Sequence, residues 1–316
     1  MNRRHFLKSS LLGSVAAGMT FGFEDRALLA AAGADTGAPP PPPVPAAELP
    51  RGKIGKLSVS RLICGGNLTS FFAHSRDLIY VSSLLKHYFT DEKIFATWRK
   101  CEENGINTAI LRMDDRVKRL ISDYWYSEGG KLQWISQCEL PEDDWKSSIL
   151  KAVDTGAHAA FVHGGVADDY VKNKRVDELA QAIDLIRQNG LPAGMAGHMV
   201  DVPIALSEQG VKVDFWMKTL NEKKYWSAGE MPRHDSVFEE TPEKTIEFMH
   251  TSHKPWIAYK VLGAGAIAPA EGFRYALENG ADFLCVGMFD FQVDEDARIL
   301  RQILSTDLNR KRPWCG

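Results

Sequence analysis

The sequence predicts an α/β protein folded as a single (β/α)8 TIM barrel, and three observations lead there. Apolar runs rich in β-branched residues alternate with longer segments of helical period, the pattern of βα units on a parallel sheet. Eight such runs can be counted, each followed by a helical segment. The chain after its proline-rich stretch, residues 51–316, is close to the ~250 residues of one barrel.

Taken in order, residues 1–34 read as a twin-arginine signal peptide. Arg3 and Arg4 precede His5, Phe6, Leu7 and Lys8, and a modest apolar run follows over 11–23. That run is shorter than the ~20 residues of a spanning helix. The expectation is therefore cleavage near Ala32 or Ala34, the twin-arginine export machinery as a partner, a periplasmic or otherwise exported location, and no stable membrane span after processing. Residues 35–50, with Pro39 to Pro43, read as an extended Pro/Ala-rich linker that cannot build a core. The catalytic domain is expected over 51–316.

Strands are expected over 59–65, 106–111, 132–138, 159–163, 193–197, 213–218, 256–261 and 283–287. Helices are expected over 91–104, 114–126, 142–155, 175–189, 202–209, 242–251, 270–279 and 293–304. Gly105, Gly190 and Gly280 each follow an asparagine and precede an apolar strand, which marks left-handed helix ends. Two connections, 66–90 and 219–241, are long enough to be lids or binding loops at the C-terminal face. A glycine-rich GxGxxG turn is absent from the sequence, which ranks an open doubly wound sheet second.

The net charge of −3 with mixed signs supplies no basic stripe for phosphate backbones, which argues against nucleic acid. Five cysteines, widely spaced and without a CxxC pair, indicate neither a disulfide framework nor a thiolate zinc site. Cys64, Cys138 and Cys285 fall in expected strands and read as small core hydrophobes.

In a barrel, polar residues at the ends of strands face the mouth. Those positions hold Arg112, Glu139, His163, His198, Lys218, Asn221, Lys260 and Asp290. Glu139, His163 and His198 come from three consecutive strands, and one carboxylate with two imidazoles suits a divalent transition metal or a metal-free acid–base pair. Lys218 and Lys260 follow apolar runs, so each must pair with a carboxylate, bind an anionic group or act as a base. The turns at 263–267 and 287–290 occupy loops where barrels bind phosphate. His74, Arg76 and Asp77 in one long loop, and Arg233, His234 and Asp235 in the other, offer polar groups to a ligand. Tyr225 and Trp226 offer aromatic faces that stack on sugar rings.

The chain from Leu57 to Gly66, from Glu102 to Ala109 and from Ala281 to Arg298 resembles the aldo-keto reductase superfamily. The resemblance implies the barrel and NADP as cofactor, with carbonyl reduction by an Asp, Tyr, Lys and His tetrad. His163 corresponds to the histidine. Asn107 stands before Thr108 and Ala109 where an aspartate is expected, Glu139 closes the third strand where the lysine is expected, and the tyrosine has no counterpart nearby. The fold is carried over and the activity is not, because hydride transfer to a carbonyl needs its proton donor. The site instead implies an enzyme acting on a sugar or related polyhydroxy or keto compound, as a lyase, isomerase or epimerase. Catalytic roles are expected for Glu139, His163, Lys218 and Lys260. Substrate contacts are expected from Arg112, His74, Arg76, Asn221, Trp226 and Asp290. A divergent NADP-dependent reductase and a non-catalytic glycan-binding barrel are the alternatives.

Overall fold

A computed structural model of the chain describes residues 48–72, 74, 78, 80–222 and 239–316. The expected signal peptide and most of the expected linker lie outside the described residues, and so do Arg76, Asp77, Tyr225, Trp226, Arg233, His234 and Asp235. The described residues belong to one compact unit, Ala47–Gly316.

A hairpin comes first, β1 (Arg51–Ile54) and β2 (Leu57–Ser60), turning at Gly55 with φ 56°. Eight parallel strands then close a barrel in the order β10-β3-β4-β5-β6-β7-β8-β9. They are β3 (Leu62–Gly65), β4 (Thr108–Arg112), β5 (Gln133–Cys138), β6 (Ala159–Val162), β7 (Ala193–Gly197), β8 (Phe215–Thr219), β9 (Trp256–Tyr259) and β10 (Phe283–Val286). Around them run α1 (Tyr80–Tyr88), α2 (Asp91–Glu103), α3 (Asp115–Tyr126), α4 (Ser147–Thr155), α5 (Gly164–Lys172), α6 (Val176–Gln188), α7 (Asp201–Glu208), α8 (Pro242–Thr251), α9 (Pro269–Glu278) and α10 (Asp290–Leu304). The barrel and its eight strands are as the sequence predicts, and Gly105, Gly190 and Gly280 take φ of 79°, 75° and 105° at the ends of α2, α6 and α9. No helix among the described residues is long and apolar enough to cross a membrane.

Three local expectations change. The run 59–65 is two strands, because the chain bends at Arg61: β2 pairs antiparallel with β1, and β3 enters the barrel. The connection 66–90 contains α1, which buries Leu85 and packs Val81 and Tyr88 against the core. Helix α5 starts directly after β6; its leading Gly164 and Gly165 are poor helix formers, and tertiary packing overrides that preference.

The barrel interior is apolar. Ile63, Ile110, Ile135, Phe161, Phe215, Ile257 and Phe283 fill it, and the hairpin closes the N-terminal end with Ile54, Leu57 and Val59 in the same cluster. Gly194 of β7 makes room for this packing, since a Cβ there would meet the Phe215 ring at 2.3 Å. A second apolar layer joins the outer strand faces to the helices, with Trp98, Trp134 and Trp256 at 1% exposure or less.

The closed end is also tied by charge. Asp282, fully buried before β10, accepts from Arg312 at 2.7 Å, from the Trp256 N–H at 2.9 Å and from the Cys315 N–H at 2.8 Å. Arg61 lies between the Phe283 and Trp314 rings, 5.0 and 4.0 Å from their centroids. Asn107 is at this end too, donating to Ser58 O at 2.8 Å and accepting from Ser60 N at 2.9 Å. It is therefore at the opposite end of β4 from the mouth and cannot act there.

Candidate active site at the barrel mouth

Parallel strands deliver their last residues to one rim, and here they deliver Arg112, Glu139, His163, His198, Lys218, Tyr259 and Lys260. Their pairing differs from what strand order alone suggests.

His198 follows β7, and its Nδ1 lies 2.7 Å from Asp168 Oδ2. Asp168, on α5, also accepts the main-chain N–H groups of His198 at 3.0 Å and Met199 at 3.1 Å. Three donors hold the carboxylate, so the His198 ring has one orientation, with the Nδ1 proton on Asp168 and the Nε2 lone pair left over. Burial pushes the His198 pKa down, Asp168 opposes this, and Lys260 and His163 add to the lowering, so the neutral imidazole is the stable form at neutral pH. The Tyr259 ring stands beside it, 5.5 Å between centroids. Burial raises the Tyr259 pKa, and the neighbouring Thr219 side chain opposes this.

His163 caps the start of α5, and its Nδ1 lies 3.4 Å from Glu139 Oε1. That contact, followed in effect by the charges of His163 and Arg112, holds Glu139 below the usual carboxylate range against the opposing cost of burial. Arg112 closes β4, 3.3 Å from Asp114 and stacked 5.1 Å from the Phe72 ring. The Lys260 Nζ lies 2.9 Å from His74 Nε2, with the Lys260 backbone in the left-handed region at φ 57°.

Three residues expected to meet substrate are occupied elsewhere. Lys218 is 1% exposed, ion-paired with Glu239, and donates to His198 O at 2.7 Å and Thr219 O at 3.1 Å. All three of its protons are used, so it positions the His198 backbone and does not reach a ligand. Asn221 bridges Lys260 O, to which it donates at 3.0 Å, and the Glu239 N–H, from which it accepts at 3.1 Å. Asp290 accepts from Tyr88 Oη and from Lys93 Nζ at 2.9 Å, fastening α10 to α1 and α2.

The residues do not fit the expected metal centre. Asp168 takes His198 away from Glu139, and among the described residues no group of three His, Cys, Asp or Glu side chains is placed to hold a metal ion. Sequence reasoning missed Asp168, Glu239 and Tyr259. Asp168 lies on a helix the propensities hid, and Glu239 is brought back by the far end of a long connection. Tyr259 had a visible signal, the last position of a strand beside Lys260.

Compared with solved structures, the chain is similar to a Pseudomonas aeruginosa protein assigned as an aldo-keto reductase. Identity is 16%, the TM-score 0.59, and the match covers 81% of this chain and 95% of that one. It is similar also to an aldo-keto reductase from Bacillus halodurans, at 11% identity and TM-score 0.55, over 82% and 92% of the two chains. The fold is aldo-keto reductase-like. No family model and no curated protein matches the chain.

Of the positions compared above with the reductase tetrad, His163 lies at the mouth and Asn107 at the opposite end of β4. The expected phosphate loops do not suit the diphosphate of NADP. Asp290 stands in the first turn of α10 and Glu271 in that of α9, where a phosphate would want the helix N-terminus clear of carboxylates. Glu222 and Glu271 both line the cavity of ≈ 270 Å³ beside α9.

Proposed function

We propose that the protein is an acid–base enzyme acting on a small carbonyl compound rich in hydroxyl groups, such as a sugar or sugar acid. The observation that carries this reading is the 2.7 Å contact between Asp168 and His198 Nδ1. A carboxylate on Nδ1 selects the tautomer whose Nε2 accepts a proton, and its charge stabilises the imidazolium formed. His198 is then the base. The Glu139 and His163 pair is its partner for the oxygen that gains or loses a proton, and Arg112 and Lys260 hold substrate oxygens. Lys218 and Glu239 keep the His198 backbone in place.

The test is proton exchange at carbon in deuterium oxide, read by NMR over a panel of ketoses and sugar acids, with His198→Gln beside the wild type. Exchange that depends on His198 supports the reading; exchange unchanged in the variant overturns it. We further infer export through the twin-arginine route from Arg3 and Arg4. Replacing both by lysine in a tagged full-length chain should leave the protein in the cytoplasm.

The fold likeness favours a second reading, an NADP-dependent reductase, against which stand the carboxylates at the starts of α9 and α10. Titration with NADPH, followed by quenching of tryptophan fluorescence, discriminates the two.

A further inference from the structure

The interior face of β4 ends in a cation. Ile110 and Ile135 belong to the cluster that fills the barrel, and alternation along a strand carries the same face two residues on, to Arg112 on β4 and Gln137 on β5. Arg112 and Gln137 are register partners, and Glu139 follows two residues later. Neighbouring strands lie ~4.8 Å apart, so Arg112 stands at the mouth next to the Glu139 and His163 pair. The charge of Arg112 helps to hold the Glu139 pKa down, in keeping with that placement. Two contacts orient the guanidinium. Asp114 Oδ2 lies 3.3 Å from Nε, out of line for a hydrogen bond, while Asp114 Oδ1 accepts the Val117 N–H in the first turn of α3 at 2.8 Å. The guanidinium also lies over the Phe72 ring, 5.1 Å from its centroid. Phe72 is held in turn: its N–H donates to Asn67 O at 2.9 Å, and the ring of adjacent Phe71 stacks 4.1 Å from the Arg116 guanidinium. The Arg112 Nη nitrogens make no hydrogen bond to any described residue, and the side chain is 31% exposed.

We propose that the Nη edge of Arg112 receives a carboxylate of the substrate, so that this mouth takes a sugar acid and not a neutral sugar. The inference rests on the acid–base reading above and names the substrate class for it. A guanidinium offers two parallel N–H donors to the two oxygens of a carboxylate, a match that a hydroxyl cannot make. Asp114 and Phe72 set its orientation before the ligand arrives, so little side-chain freedom is lost on binding. The charge admitted is a single one. Asp114 and Glu139 both stand near this guanidinium, and two carboxylates oppose the dianion of a phosphate monoester more strongly than a carboxylate. Arg112 ends β4 and the proposed base, His198, follows β7, three strands along the rim. The anionic group therefore anchors one end of the substrate and the reacting carbon lies nearer the other.

The experiment measures binding by isothermal titration calorimetry with matched pairs that differ in a carboxylate alone: D-glucuronate and D-glucose, D-galacturonate and D-galactose, D-gluconate and D-glucitol, with D-glucose 6-phosphate as the phosphate arm. The expected result is a sugar acid bound at least ~10-fold more tightly than its neutral partner and than the phosphate, with that preference abolished in Arg112→Gln and partly kept in Arg112→Lys. Circular dichroism confirms that both variants are folded. Absence of any preference for an acid over its neutral partner overturns the inference, as does a preference that survives Arg112→Gln or that the phosphate exceeds. Binding is read without turnover, so the two proposals fail separately. A carboxylate preference without His198-dependent proton exchange at carbon would sink the acid–base reading alone, and such exchange on sugars bound without that preference would sink the carboxylate site alone.

Discussion

Lys218 donates to the carbonyl oxygen of His198 at 2.7 Å from the neighbouring strand, while Glu239 neutralises its charge in a site 1% exposed. The pair joins β8, the start of α8 and the His198 backbone, because Glu239 also accepts from Thr241 N at 3.0 Å and Thr245 Oγ1 at 2.9 Å. Replacing Glu239 by alanine leaves an ammonium buried without its partner, at a cost of ~3–5 kcal/mol. The double change Lys218→Met, Glu239→Leu removes both charges and should cost less. Thermal unfolding of the two variants checks the order; equal losses would show that the charge pairing is not what matters.

Asp168→Asn is expected to lower turnover ~100-fold or more, because the amide no longer selects the His198 tautomer. Asp168 raises the His198 pKa, so its removal lets that pKa fall further, and the acid limb of the pH–rate profile should move to lower pH. An unchanged limb with lower turnover would assign the limb to another group.

Asp296 on α10 is 3% exposed, and burial together with neighbouring Glu295 pushes its pKa from 3.8 to about 7. The fold therefore favours the protonated acid. This contribution to stability is fully present below about pH 4 and is lost as pH rises through about 7. Asp296→Asn should flatten that part of the stability–pH curve, which urea unfolding at pH 5 and pH 8 would measure.

Gly164→Ala should cost activity more than fold. Its Cβ would lie 2.7 Å from the Tyr259 hydroxyl oxygen and 3.2 Å from His198 Cε1, so one of these rings must move. Gly165→Ala presses only on the His163 ring, at 3.2 Å, and is expected to be milder. Turnover of the two alanine variants, beside their melting temperatures, checks this.

By itself the sequence determined the barrel and its strand ends. Burial of alternating βα units needs only local periodicity and glycine turns, and those are written along the chain from Ile106 to Gly280. It also delivered Glu139, His163 and His198 to the right rim, since the last residue of a parallel strand can only face the mouth. Which groups pair there was decided by tertiary structure. Asp168 reaches His198 from 30 residues away and Glu239 reaches Lys218 from 21, contacts set by how α5 and the start of α8 pack on the strands. Ionisable groups in a partly dry mouth take whichever partner packing brings within hydrogen-bond reach, because leaving any of them unpaired costs more than the order of strands can specify. That is why a Glu139, His163 and His198 trio was legible, and why the structure resolves it into two separate carboxylate–histidine pairs.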